Sequence, residues 1–190
     1  MTIKVGINGM GRIGRMVIRA IVESKNKNIE IKHINNRTDS EASCTLIKHD
    51  SIHGKFDADL DFDKNHLIIN KNKITFSQES KIEDIDWKKF NVDYVFECTG
   101  KFNSKDKLLA HVKNGAKKVI VSAPCKNADQ TIVYGVNEHL LSKNDQIVSA
   151  ASCTTNCLAP VAHVLNESFE IEKGFMTTIH AFTSDQRILD

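Results

Sequence analysis

The chain has 190 residues, of which 41% are hydrophobic and 26% charged, a composition that excludes a disordered chain. With 26 basic and 24 acidic residues, the net charge of +2 gives no electrostatic indication of a nucleic-acid partner. No stretch approaches the roughly 18 consecutive apolar residues of a transmembrane helix, so no membrane association is expected.

Strand and helix patterns alternate over the first 151 residues. Short apolar runs indicate strands, and apolar residues at helical spacing indicate helices. In chain order the pattern first predicts a strand over 3–8, a helix that ends near residue 24, a strand over 29–34 and a helix over 42–47. A hairpin of 66–69 and 73–76 follows, and then a strand over 92–98 and a helix over 105–113. The last strands of this part are predicted over 119–122, 131–134 and 146–149. This order predicts an α/β fold with a doubly wound parallel sheet of Rossmann type.

The sequence changes character after residue 151. A helix is predicted over 152–169 and a strand over 174–182. The helix has one apolar face, which is made of Leu158, Val161, Leu165 and Phe169. One helix and one strand cannot bury their apolar faces alone, so residues 152–190 are expected to be the incomplete beginning of an α+β domain.

Three glycines follow the first strand directly and open the first helix. Gly9, Gly11 and Gly14 have the spacing that lets a backbone turn tightly and approach a pyrophosphate at a helix N-terminus. The backbone N–H groups of Arg12 and Ile13 lie within the same turn. The position of the motif predicts that residues 1–151 form a dinucleotide-binding domain, the alternative being a glycine turn without a ligand.

Asn36 follows the second predicted strand, at the place where dinucleotide-binding folds often carry an acidic residue that binds the ribose 2′-hydroxyl. An asparagine still accepts a hydrogen bond, but it lacks the negative charge that repels a 2′-phosphate. Arg37, the next residue, has the charge to pair with such a phosphate. Local chemistry therefore leaves NAD and NADP both open.

The chain has five cysteines in no regular pattern, which predicts reduced thiols and no disulfide framework. Cys153 follows Ser152, a good N-cap residue, and therefore lies in the first turn of a helix. The positive end of a helix lowers the pKa of a thiol, which makes Cys153 a candidate nucleophile, the alternative being a buried helical cysteine. Cys157 lies one turn further on, towards the apolar side, and is expected to be structural. No ligand spacing for a metal is found, so no metal site is expected.

His180 lies on the predicted strand, 27 residues after Cys153. An imidazole there is able to stabilise the thiolate and transfer protons, although a single histidine on a strand is more often structural. The hydroxyls of Ser152, Thr154 and Thr183 are candidate ligands for phosphate oxygens. A dinucleotide-binding domain followed by a reactive thiol predicts an oxidoreductase that forms a thiohemiacetal with an aldehyde.

Four segments resemble the glyceraldehyde-3-phosphate dehydrogenase family, and the resemblance covers the whole chain. Residues 7–15 (INGMGRIGR) resemble the family's INGFGRIGR opening, and residues 48–56 (KHDSIHGKF) resemble its KYDSVHGRF stretch. Residues 151–160 (ASCTTNCLAP) match its active-site segment, and residues 177–183 (TTIHAFT) resemble its TTIHAYT.

The resemblance implies oxidative phosphorylation of D-glyceraldehyde 3-phosphate to 1,3-bisphosphoglycerate by a cytoplasmic homotetramer of glycolysis. Cys153 would form the thiohemiacetal, and inorganic phosphate would release the thioester that follows hydride transfer. His180 would activate the thiol and act as acid and base.

The resemblance also implies the binding residues. The cofactor would be bound by Gly9, Gly11, Arg12, Ile13, Gly14, Asn36 and Ser122, with Ser122 near the nicotinamide. The substrate and phosphate would be bound by Ser152, Thr154 and Thr183.

Three departures from the family pattern affect these expectations. Asn36 replaces the usual aspartate, which NADP-preferring members of the family often lack, so NADP is an alternative to NAD, the expected cofactor. Ser80 replaces an arginine that often contacts the cofactor, with Lys81 beside it. The sequence also stops where the family continues through the catalytic domain, so a 190-residue chain that binds dinucleotide without turnover is one alternative. A dehydrogenase of erythrose 4-phosphate, which shares the SCTTNC core, is another.

Overall fold

The computed structural model of the chain describes residues 2–183. Its central element is one nine-stranded sheet. The strands are β1 (Ile3–Asn8), β2 (Ile29–Asn35), β3 (His49–Asp50), β4 (Gly54–Lys55), β5 (Leu60–Asp63), β6 (His66–Ile69), β7 (Asn72–Ser77), β8 (Tyr94–Glu97), β9 (Lys118–Val121), β10 (Gln130–Thr131) and β11 (Ile147–Ser149). The helices are α1 (Arg12–Glu23), α2 (Ser40–Lys48), α3 (Lys105–Lys113) and α4 (Cys153–Phe169), with 3₁₀ turns at Ile82–Asp84 and Glu138–Leu140.

The sheet is doubly wound and mostly parallel, with the order β10-β11-β9-β8-β1-β2-β7-β6-β5. β1 pairs in parallel with β2 on one side and with β8 on the other. One half of the sheet grows outward through β2 and β7, and the other through β8, β9, β11 and β10. The strand order therefore reverses beside β1, which is where open α/β sheets bind ligands, at the carboxyl ends of the strands.

The far edge of the sheet is antiparallel, because β6 pairs with both β5 and β7. The turn between β6 and β7 consists of Asn70 and Lys71, and both residues have positive φ. Two such residues form the primed turn that matches the twist of a hairpin. β3 and β4 form a separate two-stranded sheet.

Helices cover both faces of the sheet. On one face Ile18 of α1 and Ile47 of α2 belong to the same buried cluster as Ile7 of β1. On the other face Leu108 of α3 is buried with Val119 of β9. The sheet is therefore the middle layer of three, as expected for a Rossmann-type fold.

Gly6 of β1 lets Trp87 lie against the centre of the second face. A Cβ atom at position 6 would lie 2.5 Å from Cζ3 of the indole ring. Trp87 is fully buried, and its Nε1–H donates to Nδ1 of His111 over 2.8 Å. The indole thus connects the segment before β8 to helix α3.

Glu97 ends β8 with a carboxylate that is almost fully buried and accepts four hydrogen bonds. Oε2 accepts from Nδ2 of Asn8 over 2.6 Å and from Nε2 of His111 over 3.1 Å. Oε1 accepts from the backbone N–H of Thr99 over 2.8 Å and from the hydroxyl of Thr99. Because Nδ1 of His111 accepts from Trp87, the ring proton lies on Nε2 and points to Glu97. These donors satisfy a buried carboxylate that no cationic side chain contacts among the described residues.

His33 of β2 is a second buried polar residue on the same face. Its two ring nitrogens lie 2.8 Å from the hydroxyls of Thr75 and Ser77, and Phe90 stacks on the ring with the centroids 3.7 Å apart. Burial, assisted by the positive charge of Lys89, lowers the pKa of His33 from 6.5 to about 4. The ring is therefore neutral at pH 7.

The sequence predicts most of the sheet correctly. The strands over 3–8, 29–34 and 119–122 and the helix over 105–113 are confirmed to within one residue at each end. The strand predicted over 131–134 is mostly wrong, because β10 covers only Gln130–Thr131. The acidic strand β5 was not predicted, since it is short and has little buried surface.

The helix predicted over 152–169 is confirmed as α4, which begins one residue later. The strand predicted over 174–182 is wrong, because residues 170–183 have no regular secondary structure. A strand needs the hydrogen-bond ladder of a neighbouring strand. None of the strands in the described range 2–183 pairs with this segment.

The low pKa of His33 predicts that mild acid destabilises the fold. The unfolded chain binds a proton near pH 6.5, whereas the folded chain binds it only near pH 4, so stability that is present above pH 6.5 is lost as the pH falls towards 4. We expect His33 to contribute a loss of about 3 kcal/mol in the free energy of unfolding over this window, at ~1.4 kcal/mol per pKa unit. Urea unfolding at pH 7.0 and pH 4.5 measures it.

The matched variant is His33→Gln, which keeps a donor and an acceptor but does not titrate. We expect this variant to be less stable than the parent at pH 7, because it loses the stacked ring. Its stability should fall much less between the two pH values. Equal losses in both proteins would show that His33 does not cause the acid sensitivity.

Candidate active site

The loop between β1 and α1 contains three glycines. At two of them a side chain would clash with neighbouring atoms of the protein. Gly9 has a φ of +93°, and a Cβ there would lie 2.8 Å from Cγ2 of Thr99. A Cβ at Gly14 would lie 2.0 Å from the carbonyl oxygen of Gly9. At Gly11, by contrast, the nearest atom to a Cβ is the Cys98 carbonyl oxygen, 4.0 Å away. Packing within the described residues thus gives no reason for a glycine at position 11.

Gly11 occupies the N-cap position of α1. Because glycine has no side chain, it makes no capping hydrogen bond to the helix end. No side chain in the described range caps this helix, and its first turn contains no acidic residue. The backbone N–H groups of Arg12 and Ile13 belong to this first turn, where the helix dipole favours an anion. An open space in front of Gly11 and a helix end without a cap fit the pyrophosphate of a dinucleotide.

A cleft of about 200 Å³ opens beside this loop, at the carboxyl ends of β1, β2, β7 and β8. Gly11 and Asn36 line one side of the cleft, and Thr99 and Phe102 line the other. Ser80 and Lys81, which follow β7, also line it. The cleft thus lies at the strand-order reversal, where the topology predicts a ligand.

Asn36 connects the glycine loop to α2. Its Oδ1 accepts from the backbone N–H of Met10 over 3.1 Å, and its Nδ2 donates to the Ser43 hydroxyl over 3.1 Å. The amide is therefore held at the wall of the cleft. A carboxylate in its place would accept from both groups, so an aspartate would fit the same position.

The side chain of Arg12 points away from the cleft and binds Asp50, the last residue of β3. Its Nη2 lies 3.0 Å from Oδ1 of Asp50, which also accepts from the backbone N–H groups of His53 and Ile52. These backbone bonds, with Arg12, lower the pKa of Asp50 to about 2. Arg12 is thus able to offer the cleft its backbone N–H while its guanidinium fixes a neighbouring loop.

Cys153 is the first residue of α4 and follows the carboxyl end of β11. Ser152 caps the helix, because its Oγ accepts from the backbone N–H of Thr155 over 3.0 Å. The same backbone turn presents the Cys153 thiol at the N-terminus of the helix. β11 is parallel to β9, β8 and β1, so the thiol lies on the edge of the sheet that carries the cleft.

The structure brings His180 to Cys153, although 27 residues separate them. Nε2 of His180 lies 3.1 Å from Sγ of Cys153, and Nδ1 of His180 lies 2.6 Å from the carbonyl oxygen of Ala181. Nδ1 is therefore the donor to the carbonyl, which leaves Nε2 facing the thiol. The His180 contact, with hydrogen bonds from Thr154, lowers the pKa of the Cys153 thiol, and the same contact raises the pKa of His180. Both shifts favour a thiolate–imidazolium pair.

The other predicted binding residues lie in three places relative to Cys153 and His180. Ser152 and Thr154 flank Cys153, and Thr154 contacts the thiol directly. Thr183 is exposed and follows His180 by three residues. Ser122 follows β9 at the carboxyl edge of the sheet, and its backbone N–H donates to the carbonyl of Glu97 over 3.0 Å.

Two family profiles match the chain. Residues 3–105 match the profile described as glyceraldehyde 3-phosphate dehydrogenase, NAD binding domain, and residues 152–190 match the one described as its C-terminal domain. The chain belongs to the glyceraldehyde 3-phosphate dehydrogenase family.

Similar proteins of this family come from several bacteria. Glyceraldehyde-3-phosphate dehydrogenase of Cereibacter sphaeroides is 50% identical over 190 residues, and that of Geobacillus stearothermophilus is 49% identical over 191 residues. The enzyme of Xanthobacter flavus is 48% identical. These alignments cover 100% of this chain but only 56–57% of each relative, so the chain spans little more than half their length.

Buried residues that sequence reasoning missed hold the residues on either side of the glycine loop in this chain. Glu97 contacts Asn8 and Thr99, and Asn8 and Thr99 both line the cleft. The available signal was a glutamate inside the apolar run 92–98, because a polar residue in a parallel core strand requires buried partners. Cys98, beside Glu97, is also buried in the cleft wall, and burial raises its pKa to about 11.

The described residues show neither a cluster of metal-ligating side chains nor a helix long and apolar enough to cross a bilayer.

The glycine loop of this family member predicts losses of stability of different size for two alanine substitutions. Gly14→Ala places a methyl group against the Gly9 carbonyl oxygen, so we expect a loss of about 3 kcal/mol in the free energy of unfolding. Gly11→Ala meets no atom of the protein, so we expect a loss of at most about 1 kcal/mol, from the changed N-cap. Urea unfolding measures both values.

Calorimetric titration with NAD distinguishes the role of Gly11. We expect Gly11→Ala to weaken NAD binding at least about tenfold, because its methyl group occupies the space in front of the helix end. A stable Gly11→Ala protein that binds NAD like the parent would contradict the assignment of this space to the cofactor.

Proposed function

We propose that the protein is an NAD-dependent phosphorylating dehydrogenase of D-glyceraldehyde 3-phosphate. The contact between Sγ of Cys153 and Nε2 of His180, 3.1 Å long, is the observation that carries this proposal. The pair lies at a helix N-terminus, on the same sheet edge as the glycine loop and the cleft. The names of the similar bacterial proteins support the choice of substrate.

The cofactor is proposed to lie along the carboxyl edge of the sheet. The helix end at Gly11, Arg12 and Ile13 binds its pyrophosphate, and Asn36 binds the adenosine ribose. Three strand spacings, about 14 Å, separate β1 from β11, so the nicotinamide half extends past Ser122 towards Cys153. When bound, the nicotinamide ring supplies the hydride acceptor.

Cys153 and His180 divide the chemistry between them. The Cys153 thiolate attacks the aldehyde carbon, which forms a C–S bond and places the negative charge on the former carbonyl oxygen. Nε2 of His180 gives its proton to this oxygen and takes it back as the hydride leaves, so that a thioester remains on Cys153. Phosphate then attacks the thioester carbon, and the C–S bond breaks to return the thiolate and release the acyl phosphate.

Three hydroxyls are proposed to hold the anionic groups near this carbon. Ser152 and Thr154 adjoin the thiol at the helix N-terminus, where backbone N–H groups also favour an anion. Thr183 lies three residues after His180. Substrate phosphate and inorganic phosphate are both anions at neutral pH, so this group of donors suits either of them.

The resemblance to the family extends the proposal to the whole protein. Residues 1–151 form the dinucleotide-binding domain, and 152–190 begin the catalytic domain. The protein acts as a homotetramer in the cytoplasm, within glycolysis.

The thiol–imidazole pair predicts the reactivity of Cys153 and the loss of turnover without it. In the protein at the length its source cells produce, we expect Cys153→Ser to lower kcat/KM for glyceraldehyde 3-phosphate at least about 10³-fold, because the serine hydroxyl is a far weaker nucleophile. We expect His180→Asn to slow iodoacetamide alkylation of Cys153 about tenfold at pH 7, since the thiol pKa rises without the imidazole contact and the thiolate fraction falls.

Cys157→Ser is the control for both measurements, because Cys157 is exposed on the same helix and takes no part in the proposed chemistry. It should leave turnover and the Cys153 alkylation rate close to those of the parent. Turnover that survives Cys153→Ser would overturn the proposal. A higher kcat/KM for erythrose 4-phosphate than for glyceraldehyde 3-phosphate would change the substrate but keep the mechanism.

The position of Asn36 predicts a measurable cofactor preference. Asn36→Asp keeps the bonds to Met10 and Ser43 and adds a negative charge where a 2′-phosphate would lie. We expect the ratio of NAD to NADP affinity to rise at least about tenfold, through charge repulsion. Calorimetric titrations with both cofactors give the ratio.

Asn72→Asp is the matched control, because Asn72 begins β7 at the opposite edge of the sheet and is exposed. It adds the same charge far from the cleft and should leave the ratio unchanged. An unchanged ratio in Asn36→Asp would show that position 36 does not contact the ribose. A parent protein that binds NADP more tightly than NAD would overturn the proposed choice of NAD.

A further inference from the structure

The direction of helix α4 is not set by packing in the described structure. None of its seventeen residues is buried, and its apolar residues Leu158, Val161 and Phe169 are all exposed. The N-terminus of this helix nevertheless has to hold the Cys153 thiol at one place on the sheet edge. The chain between β11 and α4 is the segment that connects the thiol to the buried sheet, so its geometry sets the thiol's position.

That connection is a tight elbow with an unusual backbone. Ala151 is buried and has a φ of +61°, a left-handed conformation that residues with a Cβ rarely adopt. Its backbone N–H donates to Oγ of Ser149 over 3.1 Å, and the Ser149 hydroxyl donates to the carbonyl of Ala123 over 2.8 Å. The backbone N–H of Ala150 donates to the carbonyl of Val121 over 2.9 Å. The elbow is thus anchored to the sheet on its amino-terminal side.

Asn156 closes the elbow from the helix side. Its Nδ2 donates one hydrogen bond to the carbonyl of Ala150 over 2.8 Å and another to the carbonyl of Ser152 over 2.9 Å. These carbonyls stand on either side of Ala151. Both partners are carbonyl oxygens, so only the amide nitrogen of Asn156 fits between them. The carbonyl of Ser152 also accepts from the backbone N–H of Asn156 over 2.9 Å.

We propose that Asn156 is the positioning residue for the Cys153 thiol. The carbonyl of Ser152 and the nitrogen of Cys153 belong to one planar peptide group. Two donors from Asn156 fix that carbonyl, and so they fix the direction in which the Cα–Cβ bond of Cys153 points. Asn156 thereby holds the thiol within reach of His180 and of the N–H of Thr154. The inference rests on the proposed role of Cys153 as nucleophile.

The test measures the thiol itself. Cys153 is alkylated with iodoacetamide between pH 5 and pH 10, and its labelling is followed by mass spectrometry in the parent, in Asn156→Ala and in Asn156→Leu. Alanine favours the helix, and leucine keeps the branching of asparagine at Cγ without a donor. We expect both variants to react about tenfold more slowly at pH 7, because the thiolate fraction falls. At pH 10 their rates should approach that of the parent, so that the profile moves along the pH axis.

Asn166→Ala is the matched control, since it makes the same change on the same helix, far from the elbow. Among residues 2–183, Asn166 accepts from the backbone N–H groups of Glu170 and Ile171, which follow the helix. This variant should have the parent's profile. The buried thiols Cys44 and Cys98 report on the fold, because they stay unlabelled while the sheet is intact. A parental profile in either Asn156 variant overturns the inference.

Different results would show that the proposed function, on which the inference rests, is wrong. In that case His180→Asn leaves the alkylation profile of Cys153 unchanged, or turnover survives Cys153→Ser. A profile that moves in His180→Asn but not in the Asn156 variants overturns the positioning role alone.

Discussion

The buried carboxylate of Glu97 is the constraint on which the cofactor edge depends. Its four hydrogen-bond donors come from β1, from α3 and from the turn after β8, so one side chain fixes three elements. A carboxylate without partners in this position would be strongly destabilising, because a buried charge loses its hydration. Each donor is therefore required where it stands, and two of them, Asn8 and Thr99, are walls of the cleft. The shape of the ligand site thus follows from the satisfaction of a buried charge.

The same chain of hydrogen bonds continues across the sheet. Asn35 donates to Oδ1 of Asn8 over 2.9 Å and accepts from the Ser77 hydroxyl and the N–H of Glu79. Ser77 in turn contacts His33, which stays neutral because burial lowers its pKa. The carboxyl ends of four neighbouring strands are therefore linked by side chains as well as by the sheet. Protonation of His33 would disturb a network whose other end shapes the cleft. The acid sensitivity of the fold and the binding of the cofactor therefore both depend on this network.

The parts predicted correctly from the sequence are those whose geometry depends on nearby residues. Periodicity gives α3 and β1, and glycine spacing gives the loop, because local backbone requirements determine both. Motif spacing and the resemblance nominate Cys153 and His180, but their 3.1 Å contact depends on how the irregular residues 170–183 lie along α4. Periodicity wrongly predicts a strand over 174–182, because apolar alternation shows only that a segment could pair. The network of Glu97 and the amide contacts of Asn156 escape prediction for a related reason: a side chain's partners are set by tertiary structure.

The two halves of the candidate site are held by different forces, and this separates their properties. The cleft is surrounded by a packed core and a satisfied buried network, so its shape is linked to global stability. The thiol stands on a helix that buries none of its residues, and its position depends on a few hydrogen bonds at the elbow around Ala151. A substitution in the core therefore alters cofactor binding and unfolding together. A substitution at the elbow alters thiol reactivity while the sheet, and with it cofactor binding, stays intact.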